Sequence, residues 1–510
     1  MRTKTSSASW GELPLCLLCA AAVSASFVWF CLRRGYTLYY GDAASHINIA
    51  RRVIDSRTPG YGQLGTVWLP LPHALMLPLV RNDRLWQTGL AGAIPAAAFF
   101  VAGVVFLFAA VRRATGSRAA AVTAAAALGL NPNLLYLQAT PMTEPVFLGC
   151  FLAAVFCGVS FQAAPRLRYV LGAGVAVLAG SLTRYDGWFL IPFVALFFGI
   201  AGSWKSAAVF SFLAALGPLY WLGHNWVLFQ DPLEFYRGPY SAQAIYARAL
   251  AKGLPRYPGD HDFRTAWMYY RRAMELVMGR PLVWIAAAGG LAALARKATR
   301  PLALLALLLP FYVLSLHSGG TPIFVPKLYP YSYYNSRYAL AALPAGAAFA
   351  GALVALVPAS FLRGTAAAAL LVISLGGWAL HPSVENWLCW KESEVNSEGR
   401  RHWTRQAAGF FRRNYQPGDG ILTASGDVLA VYQEAGIHLR ETLTDGDFLE
   451  WLPAVNRPDL FLHERWVVAI AGDPISFNLT NPHRFASLCE RVAVFSAPRE
   501  PVIEVYRKIR

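Results

Sequence analysis

The chain has 510 residues, of which 56% are hydrophobic and only 14% are charged. A soluble protein of this size would carry roughly a quarter charged residues, so the composition excludes an ordinary soluble enzyme and indicates helices in a lipid bilayer. The net charge of +17 does not predict a nucleic-acid partner, because much of the Arg and Lys lies between apolar runs, where it holds loops in the cytoplasm.

Eleven apolar stretches are each predicted to form a membrane-spanning helix, because about 20 apolar residues cross the hydrocarbon core. The first stretch is too long for a signal-peptide core, and we interpret it as a retained helix. The stretches that begin near 169 and 281 are short for a membrane span. The eleven lie near residues 13–32, 85–111, 119–137, 144–161, 169–183, 188–203, 206–223, 281–295, 301–316, 338–358 and 364–380.

The distribution of basic residues predicts how these helices are oriented. With the N-terminus in the cytoplasm, the inner loops contain most of the clustered Arg and Lys, and the outer turn at 138–143 contains none. An odd number of spans then places the C-terminal part outside. We therefore expect two domains, a transmembrane domain over 1–380 and an extracytoplasmic α/β domain over 381–510.

The C-terminal domain is expected to alternate helices and strands. The pattern predicts helices over 406–413 and 428–434 and strands over 421–424, 466–470 and 502–506. Two cysteines, Cys389 and Cys489, lie in this polar part of the chain, and the sequence leaves open whether they pair.

Three predicted outer loops are long enough to contain structure of their own. In the first, Asp42 is placed as the N-cap of a helix over 43–54, and the apolar stretch 68–80 is too short to span and is predicted to lie at the interface. The other two loops cover 224–280 and 317–337, and the last of these is dense in Tyr and Pro.

Four ionisable clusters lie on the outer side of this topology and could form one site. A carboxylate can take the proton from an attacking hydroxyl, and Arg can hold a phosphate leaving group, so these residue types suit glycosyl transfer from a lipid-linked sugar phosphate. Ionisable residues are also costly to bury at the rim of a membrane, so such residues often have a function. The clusters are Asp42, Thr143-Glu144-Pro145, Arg184-Tyr185-Asp186 and Arg337-Tyr338.

Each candidate also has a purely structural interpretation. Glu144 could simply begin a helix, Arg184 could pair with Asp186, and Arg337 could anchor the chain at the interface. His46 lies one turn after Asp42 and could assist a base or bind a metal, and His73 lies among prolines. Lys327 and its neighbouring tyrosines could line a sugar or lipid path or form an aromatic belt.

The segment Gly41-Asp42-Ala43-Ala44-Ser45-His46-Ile47-Asn48-Ile49-Ala50-Arg51 resembles the first-loop motif of the GT-C glycosyltransferases. The likeness is to the glycosyltransferase family 39 type, which includes dolichyl-phosphate-mannose–protein mannosyltransferases and aminoarabinose transferases. It implies that Asp42 is the base. Two positions depart from the family pattern: Ala43 replaces a second acid, and Trp68-Leu69-Pro70 replaces Lys-Pro-Pro.

Two further segments are similar to elements of the same family. Met142-Thr143-Glu144-Pro145 resembles its second acidic site, and Ser336-Arg337-Tyr338 resembles a late Arg-Tyr element linked to lipid phosphate. Thr183-Arg184-Tyr185-Asp186 resembles a segment of several bacterial members. The resemblance therefore implies catalytic roles for Asp42 and Glu144 and a contact of Arg337-Tyr338 with the lipid phosphate. Arg184, His46, His73 and Lys327 are further substrate-binding candidates on their residue types and positions alone.

The resulting hypothesis is a polytopic α-helical, GT-C-like enzyme of a bacterial inner membrane. It would transfer a hexose or pentose from a polyprenyl-phosphate donor to a glycan, lipid or protein acceptor on the periplasmic side, in contact with membrane lipids and without nucleic acid. No cofactor or metal ligand set is predicted, and a divalent metal requirement stays open. The alternative is a lipid-linked glycan transporter or flippase without catalysis, although no internal repeat is visible.

Overall fold

The computed structural model of the protein describes residues 11–479, 485 and 488–509. These residues contain 23 α-helices, numbered here in chain order: α1 Glu12–Arg34, α2 Gly41–Arg52, α3 Leu71–Val80, α4 Asp83–Gln87, α5 Leu90–Thr115, α6 Arg118–Gly129, α7 Pro132–Gln138, α8 Glu144–Ala163, α9 Leu167–Ser181, α10 Asp186–Ala201, α11 Trp204–Phe229, α12 Glu234–Arg237, α13 Ala242–Ala251, α14 Phe263–Met278, α15 Arg280–Ala295, α16 Leu308–Ser318, α17 Leu343–Val354, α18 Ser360–Leu380, α19 Leu388–Asn414, α20 Leu429–Ala435, α21 Phe448–Asn456, α22 Pro458–Phe461 and α23 Pro474–Leu479.

Shorter 3₁₀ helices connect several of these elements. They are Tyr61–Leu64, Lys297–Leu307, Ser336–Ala342, Val384–Asn386, Leu439–Glu441 and Asp445–Asp447. The five strands are β1 Ile421–Leu422, β2 Thr442–Leu443, β3 Trp466–Ile470, β4 Cys489–Phe495 and β5 Ile503–Lys508.

The described residues form two compact units, each of which draws on separate stretches of the chain. The first, called the helical unit, contains the described residues of Met1–Arg34, Thr66–Pro72 and Ala93–Glu392. The second, called the sheet unit, contains those of Gly35–Gly65, His73–Gly92 and Ser393–Arg510. The predicted division of the chain at residue 380 stays a prediction.

The helical unit confirms a polytopic membrane protein. Seven helical segments of the described chain are long and apolar enough to cross a bilayer: α1, α5, α8, α11, Lys297–Ser318, Ser336–Val354 and α18. The number rises to nine if two bent pairs each count as one span, α6 with α7 at 62° and α14 with α15 at 108°. The predicted spans 169–183 and 188–203 coincide with α9 and α10, which are shorter, so the count of eleven stays unconfirmed.

Small residues allow helices of this unit to pack at short distance. A Cβ atom added at Gly289 of α15 would lie 2.0 Å from the backbone oxygen of Phe349 in α17. A Cβ atom at Gly149 of α8 would lie 2.5 Å from the backbone oxygen of Phe99 in α5. Close backbone approach through glycine is a common basis of helix association in membranes, where lipid is as apolar as the side chains.

The sheet unit contains a five-stranded sheet in the order β2-β1-β3-β5-β4. Strand β1 is parallel to β2 and to β3, whereas β5 is antiparallel to β3 and to β4. The α/β prediction for the C-terminal part is confirmed, with β1, β3 and β5 near their predicted positions and β2 and β4 additional to them.

Residues of the first predicted loop, and of the first part of the predicted span 85–111, belong to the core of the sheet unit. Ile47 of α2 and Trp86 of α4 are buried in one hydrophobic cluster with Trp403 and Phe411 of α19 and Trp466 of β3. The stability of helices α2 and α4 therefore comes from apolar contacts with the sheet and α19 as well as from their own helix-forming sequence. Cys389 and Cys489 are both free thiols.

Candidate functional site

Glu144 is the first residue of α8 and lies at the centre of a buried ionic cluster in the helical unit. Proline follows it at Pro145, a position where the missing N–H costs the helix nothing. Its Oε1 atom accepts hydrogen bonds from Arg184 Nη1 at 3.1 Å and Arg337 Nε at 3.2 Å. Its Oε2 atom is buried and has no hydrogen-bond partner among the described residues. Glu144 thus keeps one acceptor oxygen for a further ligand.

Arg184 lies in the turn between α9 and α10 and connects three elements of the helical unit. It donates to Thr143 Oγ1 at 3.0 Å, to Asp186 Oδ2 at 3.1 Å and to the hydroxyl of Tyr312 at 3.2 Å. Burial lowers the pKa of a guanidinium, but the carboxylates of Asp186 and Glu144 more than offset this and raise the pKa of Arg184 above its ordinary value. Arg184 therefore stays charged.

Arg337 lies in the 3₁₀ helix Ser336–Ala342 and is positioned by a second carboxylate. Its Nη1 atom lies 3.4 Å from Oε1 of Glu392, the fifth residue of α19. The other oxygen of Glu392 accepts from the backbone N–H of Ser336 at 2.7 Å and also from the Ser336 hydroxyl. Tyr338 presents its ring to both guanidinium groups, with Cζ of Arg337 at 5.1 Å and Cζ of Arg184 at 5.4 Å from the ring centroid.

The structure thus brings together four predicted site residues, Glu144, Arg184, Arg337 and Tyr338. Asp186 belongs to the same cluster. It forms an ion pair with Arg184, which is the purely structural interpretation of Arg184 considered from the sequence. Glu392 is a member that sequence reasoning missed. It is one of several acidic residues in the polar run 391–398, and no local pattern distinguishes it from the others.

Charge and space at this cluster restrict what it can bind. Its three carboxylates, of Glu144, Asp186 and Glu392, face only two guanidinium groups. The cavity that it lines is about 10 Å³, which is room for about one water molecule. An anion can therefore bind here only if it replaces a carboxylate as the partner of a guanidinium.

The chain is similar in fold to solved membrane glycosyltransferases. It matches ArnT from Cupriavidus metallidurans bound to undecaprenyl phosphate at 14% identity and a TM-score of 0.55, over 94% of this chain and 97% of that one. The apo form of ArnT matches at 16% identity and a TM-score of 0.54, over the same shares of both chains. Residues 85–225 match the family model of dolichyl-phosphate-mannose-protein mannosyltransferase. The chain thus has the fold of these ArnT structures, and part of it resembles the mannosyltransferase family.

The region that matches the family model contains Glu144 and Arg184. The oligosaccharyltransferase AglB from Archaeoglobus fulgidus, solved with an inhibitory peptide and a dolichol-phosphate, matches at 12% identity and a TM-score of 0.44, over 91% of this chain and 70% of that one. No curated protein matches the chain.

The remaining candidate site residues lie elsewhere. Asp42, His46 and His73 belong to the sheet unit, where His46 Nδ1 lies 3.0 Å from His73 Nε2 and both rings are buried. One ring must donate and the other accept across this contact. Lys327 is exposed in the helical unit and lines a different cavity from the Glu144 cluster.

The prediction that Asp42 is the N-cap of α2 is wrong. Tyr40 occupies the N-cap position, and Asp42 is the second residue of the helix. A carboxylate in the first turn is favoured by the helix dipole without capping a backbone N–H group, so the sequence pattern placed the helix one or two residues late. Among the described residues, no group of three His, Cys, Asp or Glu side chains is arranged to hold a metal ion.

Proposed function

We propose that the protein transfers a sugar from a polyprenyl-phosphate donor to an acceptor at the periplasmic face of a bacterial inner membrane. The observation that carries this proposal is the buried cluster of Glu144, Arg184 and Arg337, in which Glu144 keeps one unpartnered carboxylate oxygen. Support also comes from the GT-C fold, because a solved protein of that fold, ArnT, binds undecaprenyl phosphate.

The guanidinium groups are suited to the leaving group of this reaction. The acceptor oxygen forms a bond to the anomeric carbon, and the bond between that carbon and the phosphate oxygen breaks, with its electron pair leaving on polyprenyl phosphate. Arg337 and Arg184 would stabilise the charge that develops on this phosphate. Because both now bind Glu144, the donor phosphate would exchange with that carboxylate, and Glu144 would then turn toward the donor or acceptor.

The proton of the acceptor hydroxyl needs a base. We assign this role to Asp42 from the resemblance of the segment Gly41–Arg51 to the first-loop motif of the GT-C enzymes. His46, His73 and Tyr338 are proposed as contacts to the donor, and Lys327, which lines a separate cavity, as a residue on the path by which a sugar or lipid arrives. The domain over 381–510 is proposed to lie in the periplasm and to recognise the acceptor, a glycan, lipid or protein.

The test measures release of undecaprenyl phosphate from undecaprenyl-phosphate hexose and undecaprenyl-phosphate pentose by the full chain in detergent micelles. A transporter leaves the sugar–phosphate bond intact and has no bilayer to cross in a micelle, so turnover there separates the enzyme from the flippase alternative. The two donors also distinguish a hexosyltransferase from a pentosyltransferase. No release from either donor with any acceptor fraction would contradict the proposal.

The variant Asp42→Asn tests the assigned base in the same assay. We expect its turnover to fall by a factor of about 10² to 10⁴, the usual contribution of a general base. The matched control is Asp459→Asn, which removes an exposed carboxylate that pairs with Arg457. Full turnover by Asp42→Asn would rule out Asp42 as the base. It would not decide the roles of Arg337 and Arg184, which are tested by substitutions of those residues.

A further inference from the structure

A second ionic cluster of the helical unit lies at the junction of α14 and α15. Four basic side chains and one carboxylate line an open cavity of about 540 Å³, together with Met268, Trp284 and Leu328. We call it the basic pocket. Its charged residues are Arg271, Arg272, Glu275, Arg280 and Lys327.

One carboxylate organises three of the four basic groups. Glu275 lies 2.6 Å from Arg272 Nη1, 3.4 Å from Arg280 Nε and 3.8 Å from Arg271 Nε, and only 10% of its side chain is exposed. Lys327 has no ion-pair partner among the described residues. Four cations against one anion leave a formal charge of +3, so the pocket has an excess of N–H donors for an anion.

The backbone bends sharply at the junction between α14 and α15. Gly279 joins them with a φ of +83°, a conformation that a residue with a side chain rarely adopts, and the helices meet at 108°. If α15 crosses the bilayer, α14 lies along its surface. The pocket then lies at the level of lipid head groups.

The two faces of α14 agree with this placement. Tyr270, Ala273 and Val277 are buried against the helical unit, whereas Met268 and Arg271 are exposed, as is Trp267 at the edge of the buried face. Aromatic and basic residues on the exposed face are typical of a helix that lies in the membrane interface.

We propose that the basic pocket binds the phosphate head group of an anionic membrane lipid. The arginines provide paired donors for phosphate oxygens, and the exposed ring of Trp284 with Met268 and Leu328 provides an apolar border for the glycerol and acyl carbons. A cavity of this volume holds a head group, unlike the cavity at the Glu144 cluster. The proposal does not rest on the proposed glycosyl transfer.

The chemistry of the border separates a lipid from a soluble phosphate. A free phosphate compound needs only the basic groups, and it gains nothing from exposed Trp284 and Met268. A lipid places its phosphate and its carbons in both parts of the pocket at once. We therefore expect the lipid phosphate to bind and a soluble phosphate of the same head group to compete poorly.

The test uses the purified full chain in phosphatidylcholine nanodiscs that contain phosphatidylglycerol as the anionic probe. Native mass spectrometry counts the phosphatidylglycerol retained when the protein is released. The pocket variant is Arg271→Gln with Arg280→Gln, two exposed side chains. The control is Lys252→Gln with Arg264→Gln, which removes the same charge from exposed positions nearby.

We expect the pocket variant to retain about thirtyfold less phosphatidylglycerol, because each basic residue beside an anionic lipid contributes roughly fivefold, and the control to change it less than about twofold. Equal losses in the two variants, or no loss in the pocket variant, would overturn the proposal. Displacement of the lipid by an equal concentration of glycerol 3-phosphate would also overturn it, since the site would then be one for soluble phosphate.

A measurement on the unmodified protein keeps the proposal testable if the pocket variant does not fold. The preference for phosphatidylglycerol over phosphatidylcholine should decline as the salt concentration rises, because exposed arginines are screened. A preference that is independent of salt, or no preference at all, would contradict a charged pocket.

Discussion

Arg337 Nε donates to Glu144 Oε1 at 3.2 Å and so joins two residues that are 193 positions apart in the chain. Both side chains are largely buried, at 9% and 6% exposure. The same carboxylate oxygen also accepts from Arg184. One oxygen atom thus connects the turn after α9, the start of α8 and the 3₁₀ helix before α17.

Replacing Arg337 should reduce both activity and stability. In Arg337→Gln the charge that would stabilise the departing phosphate is lost, and we expect the turnover number to fall by a factor of about 10² to 10³. Removal of one partner of a buried ion pair also costs about 3–5 kcal/mol of stability. Release of undecaprenyl phosphate and thermal unfolding in detergent measure the two effects.

The control for this variant is Arg363→Gln, which removes an arginine that, within the described part of the chain, bonds only to backbone oxygens of Val357 and Pro358. Arg337→Lys adds a second comparison, since Lys keeps the charge but cannot contact Glu144 and Glu392 with a planar fork. Wild-type turnover in Arg337→Gln would contradict the assigned role.

Glu392 is expected to act as a positioning residue for Arg337. The variant Glu392→Gln leaves Arg337 in place but weakens the bonds that fix Ser336 and the guanidinium, and a small misplacement can reduce turnover by about a hundredfold. The readout is a double-mutant cycle, in which Glu392→Gln should have little further effect once Arg337→Gln is present.

The control for the cycle is Glu398→Gln, an exposed carboxylate on the same helix. Additive losses from Glu392→Gln and Arg337→Gln would show that Glu392 acts independently of Arg337, contrary to the prediction.

Asp55 in the sheet unit should give the protein an acid-sensitive component of stability. Burial raises the pKa of this carboxyl, but the hydrogen bond and charge of Arg51, together with His438, lower the pKa below its ordinary value. Its folded-state pKa is thus below its unfolded-state pKa, so its stabilisation is complete above the unfolded pKa and is lost as pH falls through the folded pKa.

The measurement compares thermal unfolding of the wild type and Asp55→Asn from about pH 6 to about pH 3. We expect the wild type to be more stable at the upper end and the difference to shrink below about pH 4. Asp459→Asn, at an exposed ion pair, should change the unfolding temperature little at any pH. A constant difference between wild type and Asp55→Asn would contradict the assignment.

Gly289 and Gly290 are neighbours in α15, but alanine is expected to destabilise the protein at Gly289 and not at Gly290. A methyl group at Gly289 would meet the backbone oxygen of Phe349 at 2.0 Å, so Gly289→Ala must separate α15 from α17 and should cost about 1–3 kcal/mol. A methyl group at Gly290 meets only the ring of Phe349 at 3.4 Å, and Gly290→Ala should be neutral or slightly stabilising. Thermal unfolding in detergent measures both, and similar values for the two would contradict the close packing.

The sequence predicted the local features of this fold well. Apolar length located the membrane helices, and the topology placed Glu144, Arg184 and Arg337 in turns on one side, which is why three residues from distant loops could be grouped before the structure was known. The GT-C-like fold is confirmed. Helix α14 was missed because its apolar positions follow one face only, so it resembles a polar loop by composition.

Long-range contacts could not be predicted in the same way. The burial of Ile47 and Trp86 with the sheet, and the bond from Ser336 to Glu392, join segments hundreds or tens of residues apart and leave no periodic signal. The predicted boundary at residue 380 also has a practical consequence, since a truncation there removes Glu392. A deletion that tests the helical unit should retain residues through 392.

The order in which the chain is synthesised follows from the position of Glu392. The ribosome produces Glu144 and Arg184 first, then Ser336 and Arg337, and Glu392 only after α18 is complete. Arg337 can therefore meet Glu144 during insertion, while its second carboxylate arrives after the last long apolar helix. An assembly intermediate that stalls before residue 392 still has two carboxylates for its two guanidinium groups, but it lacks the Glu392 bonds that fix Ser336 and Arg337. We expect the cluster to be neutral but loosely held until α19 is made.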